Sequence, residues 1–157
     1  MTISHYLSDN LTRTAANALL EVFSTQLKLS LEESSLPIDS NALLHSSVSI
    51  IGERLEGSVL LQFSEVFAAR ATELMIGGEC EEDDIKDVTG ELCNMIAGRV
   101  KVGLTAAGFT GTLATPTVTV GAFIKLRQVA DSEFCETSWS CEGHGINLQI
   151  IARILPS

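Results

Sequence analysis

The sequence predicts an α+β fold: a largely antiparallel sheet with helices packed on one face, about three helices and six or seven strands. Three observations carry that expectation. Apolar residues recur at helical spacing near the N-terminus, after residue 64 and after residue 84. The remaining β-rich runs group as hairpins around short polar turns. The regular strand–helix–strand alternation that a parallel sheet needs is missing. With 157 residues, 45% of them apolar, the chain is long enough to bury a core and reads as a single domain over residues 1–157.

The elements follow in order. A first helix is expected over Asn10–Leu27, because Leu11, Ala15, Ala18, Leu19, Val22 and Phe23 recur at helical spacing and Ser8 or Asp9 can cap its start. Leu27 to Leu31 alternates with period two, which predicts a short strand, and Ser34–Asn41 with Pro37 reads as a loop. Ser47–Glu53 and Ser58–Phe63 then form a hairpin across Arg54–Gly57, with Gly57 supplying positive φ to the turn. The unbroken Val59, Leu60, Leu61 predicts a central strand. Ser64 caps a second helix that runs to about Met75 and ends at Gly77 and Gly78.

The acidic run Glu79–Asp84 fits the N-terminus of a long third helix, where the macrodipole favours anions. That helix is expected from Asp84 to Ala107, with Gly108 as its stop. Its interior glycines, Gly90, Gly98 and Gly103, each cost about 1 kcal/mol relative to alanine. Close helix packing would offset Gly103, whereas access from outside better explains Gly98. Pro116 leads into a strand at Thr117–Val120 that can extend to Leu126. Phe134–Glu142 and Ile146–Leu155 close the chain as a hairpin across Gly143–Gly145, with Ile146, Leu148, Ile150 and Ala152 on its buried face.

Charge narrows the function. The net charge is −10, from 20 Asp+Glu against 10 Lys+Arg, which argues against nucleic acid and against an anionic membrane surface and favours a partner with a basic site. The N-terminus lacks a basic region and an apolar run, and no window reaches the roughly eighteen apolar residues of a span, so a cytoplasmic protein is expected. Cys80, Cys93, Cys135 and Cys141 form no C-x-x-C pair and are expected to be reduced, Cys93 half-buried in its helix. Cys135, Cys141 and His144 match no zinc spacing and lack a fourth ligand, so no metal is assigned.

The third helix carries the chemistry. At about 100° per residue, Asp87, Glu91, Asn94, Gly98, Lys101 and Thr105 fall within about 40° of one line, with Ile85, Val88, Leu92 and Ile96 on the far side. Glu91 and Asn94 are i, i+3 neighbours with Cβ atoms about 5–6 Å apart. A carboxylate accepts hydrogen bonds or pairs with a cation, and a carboxamide both donates and accepts. The amide is too weak a base to take a proton but well suited to aim a water, the task that dominates phosphoryl hydrolysis. No basic residue or Gly-rich phosphate loop lies in the same row upstream of Lys101, so a partner would have to bring phosphate and metal. From spacing alone, a merely solvated helix face is the stronger reading. The first helix echoes the row weakly, with Asn10, Thr14 and Asn17 at the same spacing, a match of three loosely constrained positions that chance explains as well as an ancestral duplication does.

The segment Asp87-x3-Glu91-x2-Asn94, continuing Met-Ile-Ala-Gly98 and followed by Pro116-Thr117-Val118-x-Val120-Gly121, resembles the CheX branch of the CheC/CheX/FliY chemotaxis phosphatase family. The local likeness covers residues 84–121, and the hairpin with Glu56-Gly57-Ser58-Val59 is also similar. The resemblance implies a phosphatase acting on the phosphoaspartate of a CheY-like response regulator. Asn94 would orient the attacking water and Glu91 would pair with the regulator's active-site lysine. Asp87 and Gly98 would contact the partner, Asp87 in the signature's less demanding position. No cofactor of the chain's own is implied, since the Mg2+ would be the regulator's. A homodimer through sheet edges is expected, as is a single site, because the first helix lacks the Glu. The competing reading is a CheX-like module that binds a regulator or another signalling protein without hydrolysis.

Overall fold

The computed structural model describes residues 3–34, 38 and 42–156, with side chains from Asn10 onward. Helix α1 spans Ile3–Val22 and continues as a π-helical turn over Phe23–Leu27. Strand β1 is Glu32–Glu33, β2 is Leu43–Ile51, β3 is Leu55–Ser64, and helix α2 is Glu65–Ile76. Helix α3 spans Glu82–Ala106, followed by β4 (Thr112–Leu113), β5 (Thr117–Gly121), β6 (Ser132–Cys141) and β7 (His144–Ile154). All strand pairs are antiparallel, in the order β1-β6-β7-β3-β2, with β4 and β5 both pairing the outer edge of β2. The expected α+β architecture is present, with β3 in the middle of the sheet.

This order repeats itself about the β3–β7 pair. Exchanging β1 with β5, β2 with β6 and β3 with β7 returns the same sequence of neighbours. The helices follow suit, since α1 packs over β6 and β7 while α3 packs over β2 and β3. The two helices therefore occupy pseudo-equivalent places on the sheet, while α2 and β4 have no counterpart.

The core lies between the helices and one sheet face. Val48, Val59 and Ile150 stand opposite one another across β2, β3 and β7, and all three are buried with Leu92, Ile96 and Leu19 from the helices. Phe67 stacks on Phe23 at 5.9 Å and meets Phe63 edge-on at 5.1 Å, anchoring α2 to this layer. The other sheet face is covered differently. The chain after β5 crosses it as a strap held by side-chain amides: Gln62 Nε2 donates to Ile124 O (2.7 Å), and Gln62 Oε1 accepts from Ile124 N (3.0 Å). Gln149 repeats the device, accepting from Leu126 N at 2.8 Å and donating to Ile124 O at 2.8 Å. His45 adds a bond to Ala122 O at 2.7 Å. Gln62, Gln149 and His45 are buried, and these bonds satisfy them.

Several boundaries differ from the sequence expectation. Helix α1 begins at Ile3, so Ser8 and Asp9 lie inside it rather than capping it; no Gly or Pro intervenes, and Ser and Asp disfavour a helix only mildly. The strand expected at Leu27–Leu31 is absent, because Leu27 completes the helical apolar stripe and Lys28 then turns left-handed (φ 57°). Leu29 and Leu31 still pack on the core, and pairing begins only at Glu32. The loop expected at Ser34–Asn41 lies mostly outside the described residues.

The β2–β3 turn is tighter than Arg54–Gly57. Ile51 pairs with Glu56, and Gly52 N donates to Leu55 O at 2.8 Å. Gly57 sits within β3, where a Cβ would come 2.9 Å from Ile151 O, so close backbone approach and not turn geometry requires it. Strand β5 stops at Gly121 rather than reaching Leu126, since the strap begins there. Helix α2 behaves as expected: Ser64 Oγ accepts from Phe67 N at 3.1 Å, and Gly77 ends the helix at φ 77°.

Candidate functional site

Helix α3 is fixed at its ends and along its inner side. The acidic run does cap it: the Glu81 side chain accepts from the N3 backbone, and Asp84 accepts from Glu81 N at 2.9 Å, a reciprocal capping box. Glu82, Asp83 and Asp84 occupy the first turn, and Gly108 follows the end at φ 97°. Val88, Leu92, Cys93, Ile96, Ala97, Val100 and Leu104 are buried. Cys93 is fully enclosed and not half-buried, because it lies against β2 and β3, its thiol donating to Ser46 O at 3.3 Å. Burial pushes that thiol up to about 12, which leaves it protonated and inert.

Gly90 faces β5 and the proline before it at ordinary contact distance. A Cβ there would stand 3.4 Å from Val118 Cγ2 and 3.5 Å from Pro116 Cβ. The Pro116–Val118 segment singled out in the sequence is thus the buttress of the helix.

The outer side holds the row. Asp87 and Glu91 are exposed, and Asn94 and Gly98 are half-buried, all on one face of one regular helix. Among the described residues, the side chains of Asp87, Glu91 and Asn94 take part in no hydrogen bond or ion pair. A free carboxylate and a free amide therefore stand one turn apart, with open space beside them. A Cβ at Gly98 would meet only Leu113 Cδ1, at 4.0 Å, so this glycine leaves room instead of permitting tight packing.

The pseudo-equivalent face of α1 is a different surface. Thr14 replaces the carboxylate, and Glu21 stands where α3 has Gly98. Its carboxylate is held by Arg99 at 2.7 Å, so the corresponding opening is filled by an ion pair. Asn17 is exposed, with Thr14 and not a carboxylate one turn before it.

The site is a face and not a cleft. Two surface depressions, of about 330 Å3 and about 360 Å3, are lined by other residues, on the strap side of the sheet and near the start of α3. Among the described residues no three His, Cys, Asp or Glu come together to hold a metal ion, and Asp87 and Glu91 supply only two carboxylates. The arrangement suits a partner that brings its own reacting centre. Among the described residues no helix is long and apolar enough to cross a membrane.

Two features of this face were not singled out in the sequence. Val102, one turn beyond Gly98, is 70% exposed. Arg99 is withdrawn from the face into its pair with Glu21. An exposed apolar residue beside the polar row was the available signal for Val102, whereas the direction of Arg99 depends on the α1–α3 packing.

The family model of the chemotaxis phosphatase CheX matches residues 45–138, a span that contains the whole row. No curated protein matches the chain. Among solved structures, the chain is similar to the chemotaxis protein CheX of Vibrio vulnificus, with a TM-score of 0.78 and 21% identity over 92% of this chain and 97% of that one. It is similar to CheX of Borrelia burgdorferi, solved as a complex with CheY, BeF3 and Mg2+, with a TM-score of 0.73 and 21% identity over 92% and 98%. It is also similar to Thermotoga maritima FliY, with a TM-score of 0.62 and 19% identity over 96% and 91%. At these identities the likeness to each solved structure concerns the fold.

Proposed function

The chain belongs to the CheX family of chemotaxis phosphatases, and from that premise we propose that it hydrolyses the phosphoaspartate of a CheY-like response regulator. The observation that carries this reading is the free pair Glu91 and Asn94 beside the open Gly98, on a helix held rigidly from behind. A face of this kind suits insertion into another protein's pocket, and the Borrelia CheX solved with CheY supports a CheY-type partner for this fold.

In this reading the Glu91 carboxylate pairs with the regulator's active-site lysine and seats the helix. The Asn94 side chain holds a water by hydrogen bonds and aims an oxygen lone pair along the scissile P–O bond. Water attacks phosphorus, the bond to the aspartyl oxygen breaks, and the products are inorganic phosphate and the free regulator carboxylate. The amide takes no proton, so its contribution is orientation, which in well-positioned reactions is a large share of the barrier reduction. Mg2+, bound in the regulator, neutralises phosphoryl charge. Asp87 lies one turn ahead and meets the rim of the pocket.

The same reading carries a homodimer formed through a sheet edge: β5 ends the sheet, and no described strand pairs with its outer side. Sedimentation of the purified protein tests it. It also carries a cytoplasmic location, where response regulators work.

The experiment is the decay of a 32P-labelled CheY-type regulator from the same organism, with and without the protein. Accelerated phosphate release supports hydrolysis, and Glu91→Ala should weaken both binding and acceleration. Binding without acceleration would establish the non-catalytic module instead.

A further inference from the structure

We infer that the docking surface extends past the signature, with Lys101 and Val102 forming a second contact that selects the regulator; this rests on the reading above. The two residues follow Gly98 directly along α3 and flank the same line down the helix. Lys101 is half-buried and Val102 is 70% exposed.

Among the described residues no ion pair holds Lys101, and little burial holds Val102. Lys86 pairs with Glu82 at 3.6 Å and Arg99 with Glu21 at 2.7 Å, which leaves Lys101 as the cation of α3 with no ion pair among the described residues. Its i±3 and i±4 neighbours are Ala97, Gly98, Leu104 and Thr105, so no acid on its own helix can meet it. It lies outside the last turn of α3, beyond the short reach of the macrodipole. Val102 buries little against its own chain.

The occupant is the regulator itself, because this contact is continuous with the face that enters its pocket. The charge pattern specifies the partner's surface. From Glu79 to Glu91 the unpaired charges are acidic, whereas Lys101 is basic and lies about 15 Å further along the helix. A fitting regulator therefore presents its lysine at one end of the contact. At the other end, outside the pocket, it presents an acidic side chain beside an apolar one.

The test uses full-length protein and CheY-type regulators loaded with Mg2+ and beryllofluoride, which stands in for the phosphoryl group, alongside the decay assay. Lys101→Glu should raise the Kd and the half-saturating concentration of phosphorylated regulator by about three- to tenfold at low salt, with the saturated rate unchanged. The effect should shrink at about 0.5 M salt, Lys101→Arg should behave as wild type, and changing one regulator acid outside the pocket to lysine should restore affinity to Lys101→Glu. Val102→Asp should weaken binding without moving the saturated rate. Unchanged affinity in both variants would overturn this contact while leaving the phosphatase reading intact. Wild-type protein that neither binds nor accelerates decay would overturn both.

Discussion

Replacing Gly98 with alanine should make the protein more stable, and replacing it with methionine should make it a poor phosphatase. A glycine inside a helix is less favourable than alanine by up to about 1 kcal/mol. At most sites of close packing that gain is lost to collision. Here the added carbon meets only Leu113 Cδ1 at 4.0 Å, an ordinary contact, so nothing must move. Gly98→Ala should therefore gain about 0.5–1 kcal/mol, and 1 kcal/mol in a chain of this length raises Tm by about 2–4 °C. Gly98→Met should keep most of that gain, since methionine is also a good helix former. Its longer side chain, however, fills the space through which a regulator approaches Asn94. Acceleration of regulator dephosphorylation should fall by about tenfold or more, as for other small displacements of reacting groups. Thermal unfolding and the phosphoregulator decay assay read the two effects separately. A Gly98→Ala protein less stable than wild type by about 1 kcal/mol would mean that the glycine serves packing. A Gly98→Met protein with full activity would mean that nothing approaches there.

Alkali should destabilise the fold through its buried thiols. Burial raises Cys93 to about 12 and Cys135 to about 11, against 9.0 for an unperturbed thiol. The unfolded chain therefore ionises them first, so their contribution is complete below about pH 9 and falls as pH rises toward the folded values, by roughly 1.4 kcal/mol per pH unit per thiol. Denaturant midpoints measured up to pH 10 should show this slope, and Cys93→Ala should reduce it by about half, leaving the Cys135 share; a flat wild-type profile would contradict it. On the other sheet face, Gln62→Ala removes the amide that clamps Ile124. The loss should be about 1–3 kcal/mol, with faster tryptic cleavage at Lys125 and Arg127 in the strap; an unchanged cleavage rate would mean that the strap is held elsewhere.

The parts of the fold legible in sequence were those governed by local pattern. Helices α2 and α3 declare themselves by spacing and by caps at Ser64, Gly77, the acidic run and Gly108, and the closing hairpin by alternation. The strap was illegible because residues 122–131 have no period of their own and are held by Gln62 and Gln149, far away in the chain. Gly57 misled for a related reason: a glycine in a turn and a glycine under a neighbouring backbone look alike until the neighbour, Ile151, is known. Ser8 and Asp9 resembled a cap only because the residues before them were not read as helix.

The candidate row was legible because i, i+3 and i+4 positions on a helix share a face whatever surrounds them. Its openness was not, since it depends on Leu113 and on Arg99 turning away to Glu21. The pseudo-twofold arrangement explains why one helix offers the face and the other does not, for Glu21 fills on α1 what Gly98 leaves open on α3.

The most direct measurement compares turnover with affinity for Asn94→Ala. If Asn94 aims the water, this variant binds the beryllofluoride-loaded regulator as tightly as wild type, unfolds within about 0.5 kcal/mol of it, and leaves the phosphorylated regulator decaying at its spontaneous rate. An Asn94→Ala protein that still accelerates decay as wild type does would contradict the assignment of hydrolysis to this helix.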